Sequence, residues 1–119
     1  MNKSPKLTRK PKLRIVLVTA PPKEAELIAR MLLEERLIAC ANLIPGVLSL
    51  YWWENAVCKE GETLIVMKTP SKNVKALFAR LKELHSYKVP EFLTLPIDDG
   101  SADYVSWALN EAKPRRKKS

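Results

Sequence analysis

Asn42-Leu43-Ile44-Pro45-Gly46-Val47-Leu48-Ser49-Leu50-Tyr51-Trp52-Trp53-Glu54 decides the fold, because a Pro-Gly pair interrupts a β-forming run that closes on three aromatics and a carboxylate. Proline fixes φ and removes a donor, so the pair predicts a bulge or bend in one arm of a hairpin. Side chains alternate along a strand, so Tyr51, Trp52 and Trp53 divide between its two faces. At least one of them leaves the core face. Trp and Tyr placed there cover another surface, whether a subunit, a ligand or the protein's own helices.

Downstream, Glu54 to Gly61 reads as a turn longer than the two-residue minimum, and Glu62 to Thr69 as the returning strand. Upstream, Leu13 to Ala20 reads as a central strand rich in β-branched residues. Pro21-Pro22 opens a helix, where proline is tolerated in the first turn. Its Ala25, Ile28, Ala29, Leu32, Leu33 and Leu37 form one apolar stripe at helical spacing. Ser71 is placed to cap a second helix bearing Val74, Leu77, Phe78, Leu81 and Leu84 or His85. Val89 to Ile97, broken by Pro90 and Pro96, reads as an edge strand. Asp98 to Ser101 makes a turn and cap before a third helix, Ala102 to Ala112.

The order β-α-β-β-α-β plus a C-terminal helix predicts an α+β, ferredoxin-like split βαβ with an antiparallel sheet. Two helices cover one face. The other face, read as carrying Val16, Val18, Ile65 and Met67, is left for a second copy of the chain.

A formal net charge of +8 suggests a nucleic-acid binder until it is mapped. Residues 1–12 hold five basic side chains and no acid, as do residues 113–119; residues 13–112 sum to −2. The expected organisation is therefore a folded domain over 13–112 between two basic, disordered tails, with nucleic acid contacted only nonspecifically through them. The N-terminus lacks the apolar stretch of a signal peptide and no run has membrane length, which points to the cytosol. Cys40 reads as core packing and Cys58 as the more exposed thiol of a turn, both unpaired.

Several stretches then become familiar together: Val18-Thr19-Ala20-Pro21, Arg36 to Gly46, Ser49 to Glu54, Met67-Lys68-Thr69, Val89-Pro90-Glu91 and Asp103 to Trp107. Over about Arg14 to Ala112 the chain resembles the CutA divalent-cation-tolerance family. That resemblance implies a ferredoxin-like fold, a tight homotrimer similar to the PII signalling proteins, a role in tolerance to copper and other divalent metals, and no catalytic reaction. It also implies copper ligands at positions that here are Val18, Leu84 and His85. Val18 and Leu84 have no donor atom, and three ligands are the usual minimum for a firm transition-metal site.

His85, the sole histidine, is open to two readings, a residue at a helix end or a weak metal ligand with carboxylate help from Glu91. Lys68 ends an apolar strand and must reach solvent or pair, with Glu54 as the expected mate across the hairpin. Tyr51, Trp53, Glu54, Lys68, His85, Tyr87 and Glu91 together suit an intersubunit cleft holding a small anionic or metal-bearing ligand, or a staple between subunits. A PII-like scaffold binding a small ligand or partner protein in such clefts is the alternative to a metal-tolerance role. Enzyme motifs are missing: there is no Gly-rich phosphate loop among three glycines, and no nucleophile beside a recognisable base.

Overall fold

The computed structural model describes residues 5–115. Its central sheet contains β2 (Leu13–Ala20), β3 (Cys40–Trp53), β4 (Ala56–Pro70) and β5 (Leu93–Pro96) in the order β3-β4-β2-β5, with every neighbouring pair antiparallel. With α1 (Pro22–Glu34) after β2 and α2 (Val74–Leu84) after β4, this is the ferredoxin-like order expected. α3 (Ala102–Glu111) follows. It is capped by Ser101, whose Oγ accepts from the Tyr104 N–H at 3.3 Å.

α1 and α2 bury their apolar stripes on one sheet face. Ala25, Ile28, Ala29 and Leu32 of α1 and Leu77 and Leu81 of α2 meet Val16, Val18, Ala20, Ile65 and Met67. The last four large residues of that list, Val16, Val18, Ile65 and Met67, are fully inaccessible, which corrects the expectation that they face a partner. A strand slipped by one residue presents its opposite set. The opposite face carries instead Ile15, Leu17, Thr19, Ile44, Leu64, Val66, Leu93 and Leu95, the alternate residues of the same ladders, and α3 covers only its Leu13 end, where Val105, Ala108 and Ala112 bury Leu13 and Ala39.

The β3–β4 hairpin runs far beyond the sheet. The radius of gyration is 16.3 Å, against about 13 to 14 Å for a compact chain of this length, and the longest extent is 60 Å. Between Ile44 and Val47 the register slips by one residue, with Gly46 at φ 75°, so Pro45-Gly46 is a bulge as predicted. The bulge exchanges the faces of β3. Beyond it, Val47, Ser49, Tyr51 and Trp53 stand on the side away from α1 and α2, opposite Glu62, Glu60, Cys58 and Ala56, while Trp52 points the other way and stays 74% exposed.

The hairpin closes more tightly than predicted. Trp53 pairs with Ala56, leaving Glu54 and Asn55 as a two-residue turn with φ of 49° and 65°, the left-handed pair of a type I′ turn. The stretch read as a long turn is thus strand, and Cys58 lies half-buried within it. Ser71 does not cap α2; it opens a 3-10 turn, Ser71–Asn73, and its N–H donates to the Lys12 carbonyl. The N-terminal boundary also moves: β1 (Leu7–Arg9), inside the stretch read as a free tail, pairs antiparallel with β6 (Asp99–Ser101). Residues 1–4 and 116–119 of the expected tails lie outside the described residues.

Candidate functional site

A cavity of about 640 Å³ opens between the projecting hairpin and the Tyr87–Glu91 segment. Ser49 to Trp53 of β3 form one wall, residues 87–91 the other, and Thr19 of β2 and Glu62 of β4 complete the lining. The bulge at Gly46 makes this wall possible. Without the exchanged faces, Tyr51 and Trp53 would stand on the side away from Glu62.

Glu62 is the most enclosed acid of the cleft, only 4% exposed. A carboxylate taken out of water needs donors, and the Tyr87 hydroxyl supplies one at 2.9 Å to Oε2. Burial, and then this bond to an acceptor, push the Tyr87 phenol well above its ordinary range, so it stays a donor at any physiological pH. Glu91 has its carboxyl raised, first by desolvation and then by the charge of Glu62. The cleft is therefore an acidic, aromatic-walled site with one lysine, Lys88, at its edge.

His85 sits behind the wall rather than in it. It ends α2, is 6% exposed, and its ring lies 4.7 Å from that of Tyr87 at 49°. Nδ1 accepts from the Tyr87 N–H at 3.0 Å, so Nε2, 2.8 Å from the Thr19 carbonyl oxygen, carries the hydrogen and donates. Both ring nitrogens are thus committed to backbone, and their effect is to aim Tyr87 at Glu62. A metal at His85 has to displace one of these bonds. Val18 is buried under the helices and Leu84 packs against the same core. Among the described residues no three His, Cys, Asp or Glu side chains gather as metal ligands. The residues present do not fit a firm transition-metal site.

Of the side chains predicted for the cleft, Tyr51, Trp53, Tyr87 and Glu91 line it and His85 supports it. Two do not belong. Glu54 is at the hairpin tip, whereas Lys68 pairs with Cys40 at the opposite end of the ladder, more than about 30 Å away at roughly 3.3 Å per residue. Lys68 Nζ instead donates to Asn42 Oδ1 and lies 3.9 Å from Cys40 Sγ, so Cys40 is a half-buried thiol among polar groups and not core packing. Burial, and then a hydrogen bond to Cys40, push the Tyr104 hydroxyl up to about 12. Without Lys68, the cleft loses the cation that favoured an anionic ligand. Sequence reasoning missed Glu62 and Thr19. The signal for Glu62 was the bulge itself, since one extra residue in β3 puts this acid on the same face as the aromatics.

Residues 14–111 match the family described as CutA1 divalent ion tolerance protein. The divalent-cation tolerance protein CutA of Thermus thermophilus is 44% identical over 94 residues, covering 78% of this chain and 91% of that protein. The protein of the same name from Escherichia coli is 45% identical over 94 residues, covering 78% and 84%. Among solved structures, the apo form of the PII-like protein CutA from Nostoc sp. PCC 7120 superposes with a TM-score of 0.80 at 36% identity, over 86% of this chain and 99% of that one.

Proposed function

This chain belongs to the CutA1 divalent ion tolerance family, and from that premise we propose that it serves the response to metal ions as a non-catalytic, cytoplasmic homotrimer that receives a small ligand in its cleft. The observation that carries this reading is Glu62, an almost fully buried carboxylate kept at the floor of an open cavity and oriented by Tyr87. Burying an acid is costly, and a chain that needed only a stable hairpin would place an apolar residue there. The aromatic walls supply apolar area and the carboxylates supply orientation, the usual division of labour in a small-molecule site.

The homotrimer rests on the part of the face opposite α1 and α2 that α3 leaves uncovered. Ile44, Leu93 and Leu95 remain 46 to 57% exposed there, and Leu48, Leu50, Trp52 and Val57 expose the other side of the hairpin arms. Large apolar side chains exposed in this number mark an interface, and obligate ones commonly bury on the order of 2,000 Å² or more. Cys40 and Cys58 lie too far apart along the ladder to pair within the chain, and no helix among the described residues is long and apolar enough to cross a membrane.

Divalent-metal binding centred on His85 with Glu91, with copper as the ion probed, is the second reading, favoured by the divalent ion in the family's name and by the nearness of His85 to the cleft. Calorimetric titration of Cu(II) into the wild type, His85→Ala and Glu62→Gln separates the two. The cleft reading expects weak copper binding that Glu62→Gln alters at least as much as His85→Ala. Tight binding abolished by His85→Ala alone would replace it with the copper reading.

A further inference from the structure

The acidic cleft carries more acceptors than the protein has donors to meet. Glu62, only 4% exposed, takes one side-chain hydrogen bond, from the Tyr87 hydroxyl to Oε2. Its Oε1 accepts from no described residue, yet no buried side-chain oxygen among the described residues lacks a partner, so Oε1 keeps access to the cavity. Glu91 lines the same cavity, and Glu60 stands two residues along β4 on the face that Glu62 shares. Lys88 is the one basic residue of the lining. Among the described residues none of these four side chains enters an ion pair, so Lys88 neutralises no carboxylate at contact distance.

Negative charge is felt across the width of the cleft. On the β3 wall, burial and then the charges of Glu60, Cys58 and Glu62 hold the Tyr51 phenol above its ordinary value, and on the opposite wall Glu91 is raised by burial and by Glu62. The same β3 wall presents apolar area beside these acids. Tyr51 and Trp53 project from alternate positions about 7 Å apart, and 39% and 48% of their surface stays exposed. An aromatic face attracts a cation held within about 6 Å of its centre. Tyr87 already donates its one hydroxyl hydrogen to Glu62, so it offers an anion nothing.

We propose that the cleft binds a small aliphatic amine in its ammonium form, the nitrogen donating to Glu62 and the carbon chain lying along Tyr51 and Trp53. The proposal rests on the reading of the cleft as a ligand site and names the chemical class of the ligand. A small anion would meet Glu62 and Glu91 with a single lysine to offset them. A bare metal ion needs about three ligands, and no three His, Cys, Asp or Glu side chains gather among the described residues. A cavity of about 640 Å³ has the size of a molecular site, and its aromatic walls give an ion nothing to coordinate. An amine bearing N–H groups suits Oε1 better than a quaternary ammonium, because only an N–H satisfies that acceptor. A second ammonium at the far end of the chain is drawn by the charges of Glu60 and Glu91, which favours a diamine over a monoamine.

The test is calorimetric titration of the full chain with three probes of equal chain length: diaminobutane, butanediol and succinate. The diamine should bind with a dissociation constant of about 1 mM or below, at least about tenfold tighter than either other probe. Glu62→Gln should weaken the diamine about tenfold or more, and Trp53→Leu about threefold. Lys88→Gln removes the competing cation and should strengthen it about twofold. Trp53 and Lys88 are exposed, so these two variants decide the question even where Glu62→Gln fails to fold. Diamine binding no tighter than that of butanediol or succinate, binding indifferent to Trp53→Leu, or binding weakened by Lys88→Gln would each overturn the proposal. The copper titration separates it from the reading beneath it. Copper binding that Glu62→Gln alters, without diamine binding, would overturn the amine and keep the ligand cleft, whereas copper and diamine binding both untouched by Glu62→Gln would overturn the cleft reading as well.

Discussion

Val16, Val18, Ile65 and Met67 of the central strands are sealed beneath α1 and α2, whereas Ile44, Leu93 and Leu95, of similar size but on the edge strands β3 and β5 of the same sheet, stay about half exposed on the opposite face. The strands do not differ in composition between their faces; what differs is the cover. One face is closed by the chain's own helices, and its energetics are those of a core. The other is covered by α3 only at its Leu13 end and is otherwise left open, and it is there that the bulged hairpin and the Tyr87–Glu91 segment enclose an acidic cleft. In this fold, the main core and the acidic cleft lie on the two sides of one sheet.

The separation is broken most severely by a cavity on the closed side. Ile65→Ala should cost about 2–5 kcal/mol of stability, read as a lowered urea midpoint with an unchanged slope. A loss below about 1 kcal/mol would mean that the closed face is not the main core. On the open side, Leu93→Asp with Leu95→Asp should leave helical circular dichroism intact while lowering the oligomer mass, because charge is placed in an interface and not in the core. Loss of secondary structure in that variant would erase the distinction between the faces.

Tyr87→Phe sharpens the comparison within the cleft. Removing the hydroxyl leaves Glu62 buried without this donor and should cost about 1–3 kcal/mol, and Glu62→Gln with Tyr87→Phe should cost less than the sum of the two single changes. Strict additivity would show that the pair does not act as a unit. The smallest effect is electrostatic. Glu91 has a raised folded-state value, so the folded chain binds the extra proton between the ordinary carboxylate value and the raised one. Its contribution to stability is present below the ordinary value and is lost as pH rises through the raised one. Glu91→Gln should therefore flatten the decline of melting temperature with pH across that window, and an unchanged profile would remove Glu91 from the buried electrostatics.

Much of the closed face was legible from sequence. The stripe Ala25, Ile28, Ala29 and Leu32 and the order of elements follow from helical spacing, and those residues are buried as that spacing predicts. The open face was harder to read because it depends on parity. A strand with apolar residues on both faces does not say which set the helices take, so its pattern alone leaves Val16 and Val18 free to face either side, and the structure buries them under α1 and α2. The pairing of Lys68 with Glu54 failed for a related reason. Mistaking the strand beyond Asn55 for a long turn hid a ladder that carries these two residues to its opposite ends. β1 is only three residues long and is fixed by its distant partner β6, which no local pattern announces. Tyr51, Trp53, Tyr87 and Glu91 were found because aromatics and acids at strand ends are conspicuous, whereas Glu62 needed the register.

Completion of the open face by other copies of the chain is tested most directly by sedimentation equilibrium. At concentrations from the micromolar range downward, the full chain should sediment as a single species of three copies of the 13.5 kDa polypeptide, with helical circular dichroism retained throughout. A folded, stable 13.5 kDa monomer at micromolar concentration would contradict it.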